Sequence, residues 1–254
     1  MPYQFATEDR DYSDYASGRV FYAAPGHPAF PVRLISEVFQ RCQALRRRQG
    51  LTGPVTLYDP CCGSAYQLST LAYLHWAEIG SILASDIDAD ILPVAVRNLG
   101  LLTPAGLEKR AGEITDLLER YDKPSHMEAA VSVKHFRQHL NEQAPSHPIS
   151  TRVFQADATQ GQELRRELAG QPIDLVLADV PYGRQSHWQT FESGSAGDND
   201  SLLGPLLEAL LEVISPQTIV AILSDKAQKA EHPQYQRLGR FQIGKRLVSF
   251  SQRK

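Results

Sequence analysis

Four aspartates in this 254-residue chain each close a short apolar run. Asp59 ends Val55-Thr56-Leu57-Tyr58, and Asp86 ends Ser81-Ile82-Leu83-Ala84-Ser85. Asp157 follows residues 151–156, and Asp179 follows residues 173–178. A carboxylate at the end of a buried strand is costly unless it is used or well paired. After Asp59 comes Pro60-Cys61-Cys62-Gly63-Ser64-Ala65. Gly63 admits a tight turn, and a helix beginning near Ser64 offers free N–H groups for a cofactor carboxylate. Asp59 can accept hydrogen bonds from a cofactor ammonium, directly or through water. Asp86 lies 23 residues past Gly63 and suits the two hydroxyls of a ribose, with Ile87 beside it. Asp88 is read as the N-cap of the next helix. Asp157, beside Ala158, suits an adenine amino group, with helix N-capping as its competing role.

The segment Asp179-Val180-Pro181-Tyr182-Gly183 carries the reactive chemistry in this reading. Pro181 stiffens the turn, and Tyr182 offers a face on which a planar base can stack. Asp179 can accept a hydrogen bond from a target N–H and orient its lone pair at a methyl group. A surface turn with an aromatic lid is the plainer alternative. Cys61 and Cys62 invite a metal reading, but no second cysteine pair or suitably spaced histidine completes a site. His135 and His139 share a helix face without an adjacent carboxylate motif, so no metal is expected.

These residues need elements to hold them. Strands are predicted at 55–59, 80–86, 151–156, 173–178 and 218–223. Helices are predicted at 30–48, 64–77, 89–99, 161–169 and 202–214. That alternation argues for a mostly parallel sheet with helices on both faces. Residues 240–243 and 246–250 flank Gly244-Lys245 and read as an antiparallel hairpin. Residues 1–30 read as an irregular arm. Residues 103–150 read as a helical insertion, with helices at 111–120 and 127–143. Residues 184–200 are rich in Gly, Ser and Asn and read as a long functional loop. The chain thus divides into an arm and helix over 1–54 packed on a catalytic domain over 55–254.

Hydrophobic residues make up 42% and charged residues 22%, which is ordinary for a soluble globular protein. No apolar run reaches a membrane span, and the N-terminus lacks a signal-peptide h-region, so a cytoplasmic protein is expected. The net charge of −3 argues against a general nucleic-acid coat. The cations are nevertheless clustered. Eight basic residues lie in 225–254 against Asp225 and Glu231, and five arginines lie in 30–54 against Glu37. Arg33, Arg46, Arg47, Arg184, Lys226, Lys245 and Arg246 are the candidate phosphate contacts. Solvated helix faces are the plainer reading of the same clusters.

The four acidic segments, in this order and spacing, resemble motifs I to IV of the class I S-adenosylmethionine-dependent methyltransferases. Asp59-Pro60-Cys61-Cys62-Gly63-Ser64 together with Gly26-His27-Pro28-Ala29-Phe30-Pro31-Val32-Arg33-Leu34 is similar to the AviRa-like 23S rRNA (guanine) methyltransferases. The resemblance extends through Ala84-Ser85-Asp86-Ile87-Asp88 and Asp179-Val180-Pro181-Tyr182-Gly183. It implies a Rossmann-like fold with seven strands and S-adenosyl-L-methionine as cofactor. It implies cofactor contacts at Asp59, Cys61, Gly63, Ser64, Asp86, Ile87, Asp157 and Ala158, and catalysis by Asp179, Pro181 and Tyr182. The implied partner is 23S rRNA or the large ribosomal subunit, met by a monomer, with resistance to an orthosomycin-type antibiotic as the biological role. Ala65 stands where many relatives have a second glycine and is expected to tighten the cofactor pocket. Val180 stands where amino-group methyltransferases usually have a proline, which leaves a ring nitrogen open as the acceptor. Two alternatives remain at this level: methylation of a protein glutamine or a small molecule, and an inactive fold serving as an RNA-binding module.

Overall fold

The computed structural model describes residues 3–26, 29–180, 203–226, 228 and 230–254. The short apolar runs form one sheet of seven strands: β1 (Val55–Asp59), β2 (Ile79–Asp86), β3 (Ser150–Gln155), β4 (Leu175–Asp179), β5 (Ile219–Asp225), β6 (Tyr235–Ile243) and β7 (Arg246–Arg253). Their order is β3-β2-β1-β4-β5-β7-β6. β1 to β5 are parallel, and β7 is antiparallel to both β5 and β6. The chain turns from one half of the sheet to the other between β1 and β4, and a parallel sheet opens a crevice there at its carboxyl edge.

Side chains alternate between the two faces, so each strand feeds two cores. Leu57, Ile82, Ala84, Leu175 and Leu177 pack with α1 (Val32–Arg48), α2 (Tyr66–Leu74) and α3 (Leu92–Gly100). Tyr58, Leu83, Val176 and Ala178 pack with α6 (Gly161–Leu168) and α7 (Leu203–Leu210) on the other face. Between α3 and β3 lies an antiparallel pair, α4 (Pro104–Tyr121) and α5 (Pro124–Gln143). α4 starts earlier than apolar spacing predicts. Thr103 caps it by accepting the Gly106 N–H at 3.1 Å, and Pro104 occupies its first turn. A Cβ on Gly106 would lie 2.1 Å from the Gly100 carbonyl oxygen, so the corner between α3 and α4 requires glycine there. Among the described residues no helix is long and apolar enough to cross a membrane.

α3 begins at Leu92 rather than near residue 89, and this corrects the role expected of Asp88. Asp88 accepts the Asp90 N–H at 2.9 Å, forming a turn ahead of the helix instead of its cap. Pro93 fits the first helical turn and fixes the later start.

The N-terminal arm shares the core with the sheet. Phe21 is fully buried, with its ring 5.5 Å from Tyr66 and 5.4 Å from Phe136. Such edge-to-face contacts suit the aromatic quadrupole. Tyr66 donates to the Tyr15 carbonyl at 2.6 Å. At the arm's start, the buried Glu37 carboxylate accepts the N–H groups of Gln4, Phe5 and Ala6 at 2.7–2.8 Å and pairs with Arg41. Burial alone would raise its pKa, but the donors from Ala6, Gln4 and Phe5, with Arg41, hold it below the usual range.

Removing that acceptor strands three backbone donors. Glu37→Ala is expected to lower unfolding stability by about 3 kcal/mol in denaturant titration and to release the arm. Because the folded-state pKa is depressed, the Glu37 contribution is full above the ordinary carboxyl range and fades as pH falls through the folded value. The mutant's deficit should therefore shrink in acid.

Candidate active site

Asp59, Asp86 and Asp179 end β1, β2 and β4, and each occupies a position of the same parity as its strand's residues packed against α1, α2 and α3. Asp157 follows β3 at the same edge. Around the half-buried Cys61 these four acids converge. Burial, then the charges of Asp86, Asp59, Asp179 and Asp157, push its thiol well above its ordinary pKa. Cys61 is thus held as a neutral thiol and is no nucleophile. Among the described residues no group of three or more His, Cys, Asp or Glu is arranged to hold a metal ion.

Asp59 is fully buried. It accepts the Cys61 N–H at 3.0 Å and a hydrogen bond from Gln67 on α2. Burial pushes its carboxyl up to about 7. The hydrogen bonds from Cys61 and Gln67 oppose that shift, and the charges of Asp179 and Asp86 add to it. Asp86 accepts the Gly63 N–H at 2.8 Å and the Asp88 N–H at 3.1 Å, fastening the end of β2 to the turn after β1. Cys62 N–H donates to the Ser85 carbonyl at 2.9 Å, a second fastening. The Gly63 N–H is therefore committed to Asp86 in this structure.

The turn itself is left-handed twice, at Gly63 (φ 51°) and at Ala65 (φ 54°, ψ 22°). Glycine accepts this conformation freely, whereas alanine is strained there by about 1–2 kcal/mol. Ala65 is also fully buried, so α2 begins at Tyr66 on a strained residue. Asp157 is 2% exposed. Its Oδ1 accepts the Thr159 N–H at 2.9 Å and the Thr159 hydroxyl at 2.7 Å. Its Oδ2 is buried with no hydrogen-bond partner among the described residues. Asp157 thus shapes a turn ahead of α6, whose N-cap is Gln160. Val180 N–H donates to the Leu223 carbonyl at 3.0 Å, holding the start of the segment after Asp179 against β5. Pro181, Tyr182 and Arg184, with the rest of the expected loop, lie outside the described residues.

The proposed phosphate contacts separate into two groups, and three need correction. α1 runs opposite to the parallel strands. Its start lies near the Arg246 guanidinium, which sits 5.1 Å from the Phe30 ring, and Arg246 faces Asp225 at the carboxyl end of β5. Its last turn lies about 25 Å away at the amino edge. There Arg46 is 4% exposed and paired with Asp174 at 2.8 Å, while Arg47 pairs with Glu78 at 2.9 Å. Both brace the sheet's amino edge instead of facing the acidic one. Arg33 is spent on the arm, donating to the Ala6 and Thr7 carbonyls and covering the Tyr3 ring. Lys226 and Lys245 are exposed, and the Lys226 N–H donates to the Lys245 carbonyl at 3.2 Å. With Arg246 they stand where β5 ends and β7 begins, on the same edge as Asp179.

Gln67 and Asn98 were not singled out from sequence. Each is a buried polar residue within a helix whose other buried positions are mostly apolar, and that mismatch is the available signal.

A family model described as rRNA methyltransferase AviRa matches residues 1–246. A curated Streptomyces viridochromogenes protein named 23S rRNA (guanine(2535)-N(1))-methyltransferase is 40% identical over 244 residues, covering 96% of this chain and 93% of that protein. A solved structure of the rRNA methyltransferase AviRa from the same organism superposes with a TM-score of 0.85 at 38% identity, over 98% of this chain and 96% of the other. A second such structure gives 0.86 at 36% identity, over 99% and 96%.

The strain at Ala65 is directly measurable. Ala65→Gly is expected to raise stability by about 1 kcal/mol, the relief of the left-handed alanine less the added entropy of glycine in the unfolded chain. Thermal unfolding reads this, and a lower melting temperature would contradict the strained geometry.

Proposed function

The chain belongs to the rRNA methyltransferase AviRa family and is an S-adenosylmethionine-dependent methyltransferase, and we propose that it methylates a guanine of 23S rRNA at ring nitrogen N1. The observation that carries the site assignment is the convergence of Asp59, Asp86, Asp157 and Asp179 on one sheet edge. The residues present fit this cofactor. S-adenosylmethionine, when bound, supplies an electrophilic methyl group on a positively charged sulfonium and carries a second positive charge on its ammonium. An edge lined by four acids suits such a cation.

In the proposed arrangement Asp59, oriented by Gln67, faces the ammonium. Asp86, which accepts the Gly63 and Asp88 N–H groups, is assigned to the ribose hydroxyls. Cys61, Ser64, Ile87 and Ala158 complete the walls, with Gly63 providing the turn. The buried Asp157 Oδ2 without a partner is the acceptor offered to the adenine amino group, which would remove its desolvation penalty.

Asp179 is assigned to the acceptor base. Guanine N1 carries a proton, so its lone pair is available only as that proton leaves. Asp179 accepts the N1 proton as the N1–methyl bond forms, the carbon–sulfur bond breaks and its electron pair stays on sulfur. The base must leave its stack to reach that edge. Tyr182 is assigned the stacking role, and Pro181 its support, on sequence grounds. A ring-nitrogen acceptor also agrees with Val180, which stands in place of the proline usual in amino-group enzymes. Lys226, Lys245 and Arg246 are assigned to phosphates, with Arg184 on sequence grounds.

Among the described residues the exposed large apolar side chains, Val96, Tyr121, Met127 and Val131, are few, which supports a monomeric enzyme. The proposed setting is the cytoplasm, where ribosomes are found. Mapping N1-methylguanine in 23S rRNA from cells with and without this protein tests the substrate. Orthosomycin sensitivity of the same strains tests resistance. Unmodified 23S rRNA in expressing cells would overturn the assignment.

Asp179→Asn is expected to lower turnover by about 10²- to 10⁴-fold while cofactor affinity in calorimetry stays nearly unchanged. Asp59 adds a pH signature. It is neutral below about 7 and charged above. Cofactor affinity should therefore hold above pH 7 and weaken below it, approaching tenfold per pH unit, with proton release on binding near pH 6. Calorimetry in buffers of different ionisation enthalpy measures that release. A pH-independent affinity between 6 and 8 would remove Asp59 from the ammonium site.

A further inference from the structure

Asn98 is fully buried on α3 between the apolar Ala95 and Leu99. Its side chain reaches two separate segments. Its Oδ1 accepts the Tyr22 N–H at 2.7 Å. Its Nδ2 donates to the Tyr22 carbonyl at 3.0 Å and to the Ser64 carbonyl at 2.9 Å. One amide therefore fixes both backbone groups of an arm residue and the peptide leading into the left-handed Ala65. The arm is gripped again beside it. The Tyr22 ring lies 3.6 Å from the Arg97 guanidinium and 4.3 Å from that of Arg110. Both arginines pair with Glu113, and Arg110 donates to the Val20 carbonyl at 2.8 Å.

A peptide in the left-handed region does not hold itself there, since the strain at Ala65 favours relaxation. Among the described residues, Asn98 is the side chain that holds the Ser64 carbonyl in place. We propose that Asn98 is a positioning residue for cofactor binding, and that through it the docking of arm residues 19–22 and the affinity for S-adenosylmethionine are coupled. The proposal rests on the reading of residues 59–65 as the cofactor turn. Coupling of this kind is reciprocal: a docked arm tightens the cofactor, and the cofactor tightens the arm. The arm is then one wall of the cofactor site, although it supplies no ligand to it.

The test uses the full-length enzyme, S-adenosylmethionine and its product S-adenosylhomocysteine. In Asn98→Ala the dissociation constant for both should rise roughly tenfold, the loss of the buried hydrogen bond to the turn. KM for S-adenosylmethionine should rise in parallel while kcat at saturating cofactor changes little. General destabilisation would instead lower kcat through a smaller active fraction and leave KM alone, and that pattern would overturn the proposal. The second readout needs no variant. In the wild-type enzyme, saturating S-adenosylhomocysteine should slow amide hydrogen exchange in residues 18–24. Exchange there that ignores the cofactor would overturn the coupling even if Asn98→Ala failed to fold. Asp86→Ala separates this from the underlying reading. If it leaves cofactor affinity intact, residues 59–65 are not the cofactor turn; if affinity falls there but not in Asn98→Ala, Asn98 alone is excluded.

Discussion

Four carboxylates crowded onto one sheet edge repel one another, and much of the surrounding structure answers that repulsion. A parallel sheet brings them together because it points every strand's end the same way. Asp59 lies deepest and shows the cost, with burial and then its acidic neighbours pushing its carboxyl up to about 7. A group whose folded pKa is raised from 3.8 to about 7 costs the fold stability as pH rises across that interval. A cation at the edge reverses the cost. The fold is therefore biased toward a positively charged ligand before any specific contact is made.

The neighbouring turn is held from outside itself. Asp86 takes the Gly63 N–H, Ser85 takes the Cys62 N–H, and Asn98 takes the Ser64 carbonyl. These bonds come from β2 and α3 and together fix a strained alanine whose own preference is to relax. The arm belongs to the same arrangement. Its aromatic residues fill the core beside α2 and α5, and its peptide at Tyr22 completes the bonding of Asn98. The geometry of this turn is thus distributed over segments distant in sequence.

What sequence revealed and what it hid divide along physical lines. Strand ends were legible because an apolar run closed by an acid has few explanations, and β1 and its Asp59 fell where spacing put them. Helix starts were less legible. Pro93 and the Asp88 turn delayed α3, while the Thr103 cap and Pro104 advanced α4. Both depend on local hydrogen bonds that apolar periodicity does not encode. The basic clusters misled most. Arg33, Arg46 and Arg47 look alike in sequence, but helix direction decides their neighbours. α1 runs against the strands, so its last-turn arginines meet Asp174 and Glu78 at the edge opposite the four acids. Gln67 and Asn98 stayed hidden because a single amide in an apolar helix face does not announce its partners.

That division also explains how a chain of net charge −3 can serve an RNA substrate. Charge total matters less than its placement. A phosphate drawn into the carboxylate edge would meet four acids, so the backbone of a nucleic acid is excluded from it. A base is neutral and is not. Lys226, Lys245 and Arg246 stand at the rim of the same edge, where β5 ends and β7 begins. A strand of RNA whose phosphates rest on that rim can present one base inward while its charge stays outside. In the proposed arrangement the acids that favour a cationic cofactor also sort the substrate, admitting the flipped base and rejecting its backbone. Cofactor and RNA thus make opposite demands on the charge around this edge. A cationic rim around an acidic floor satisfies both demands without a large net charge of either sign.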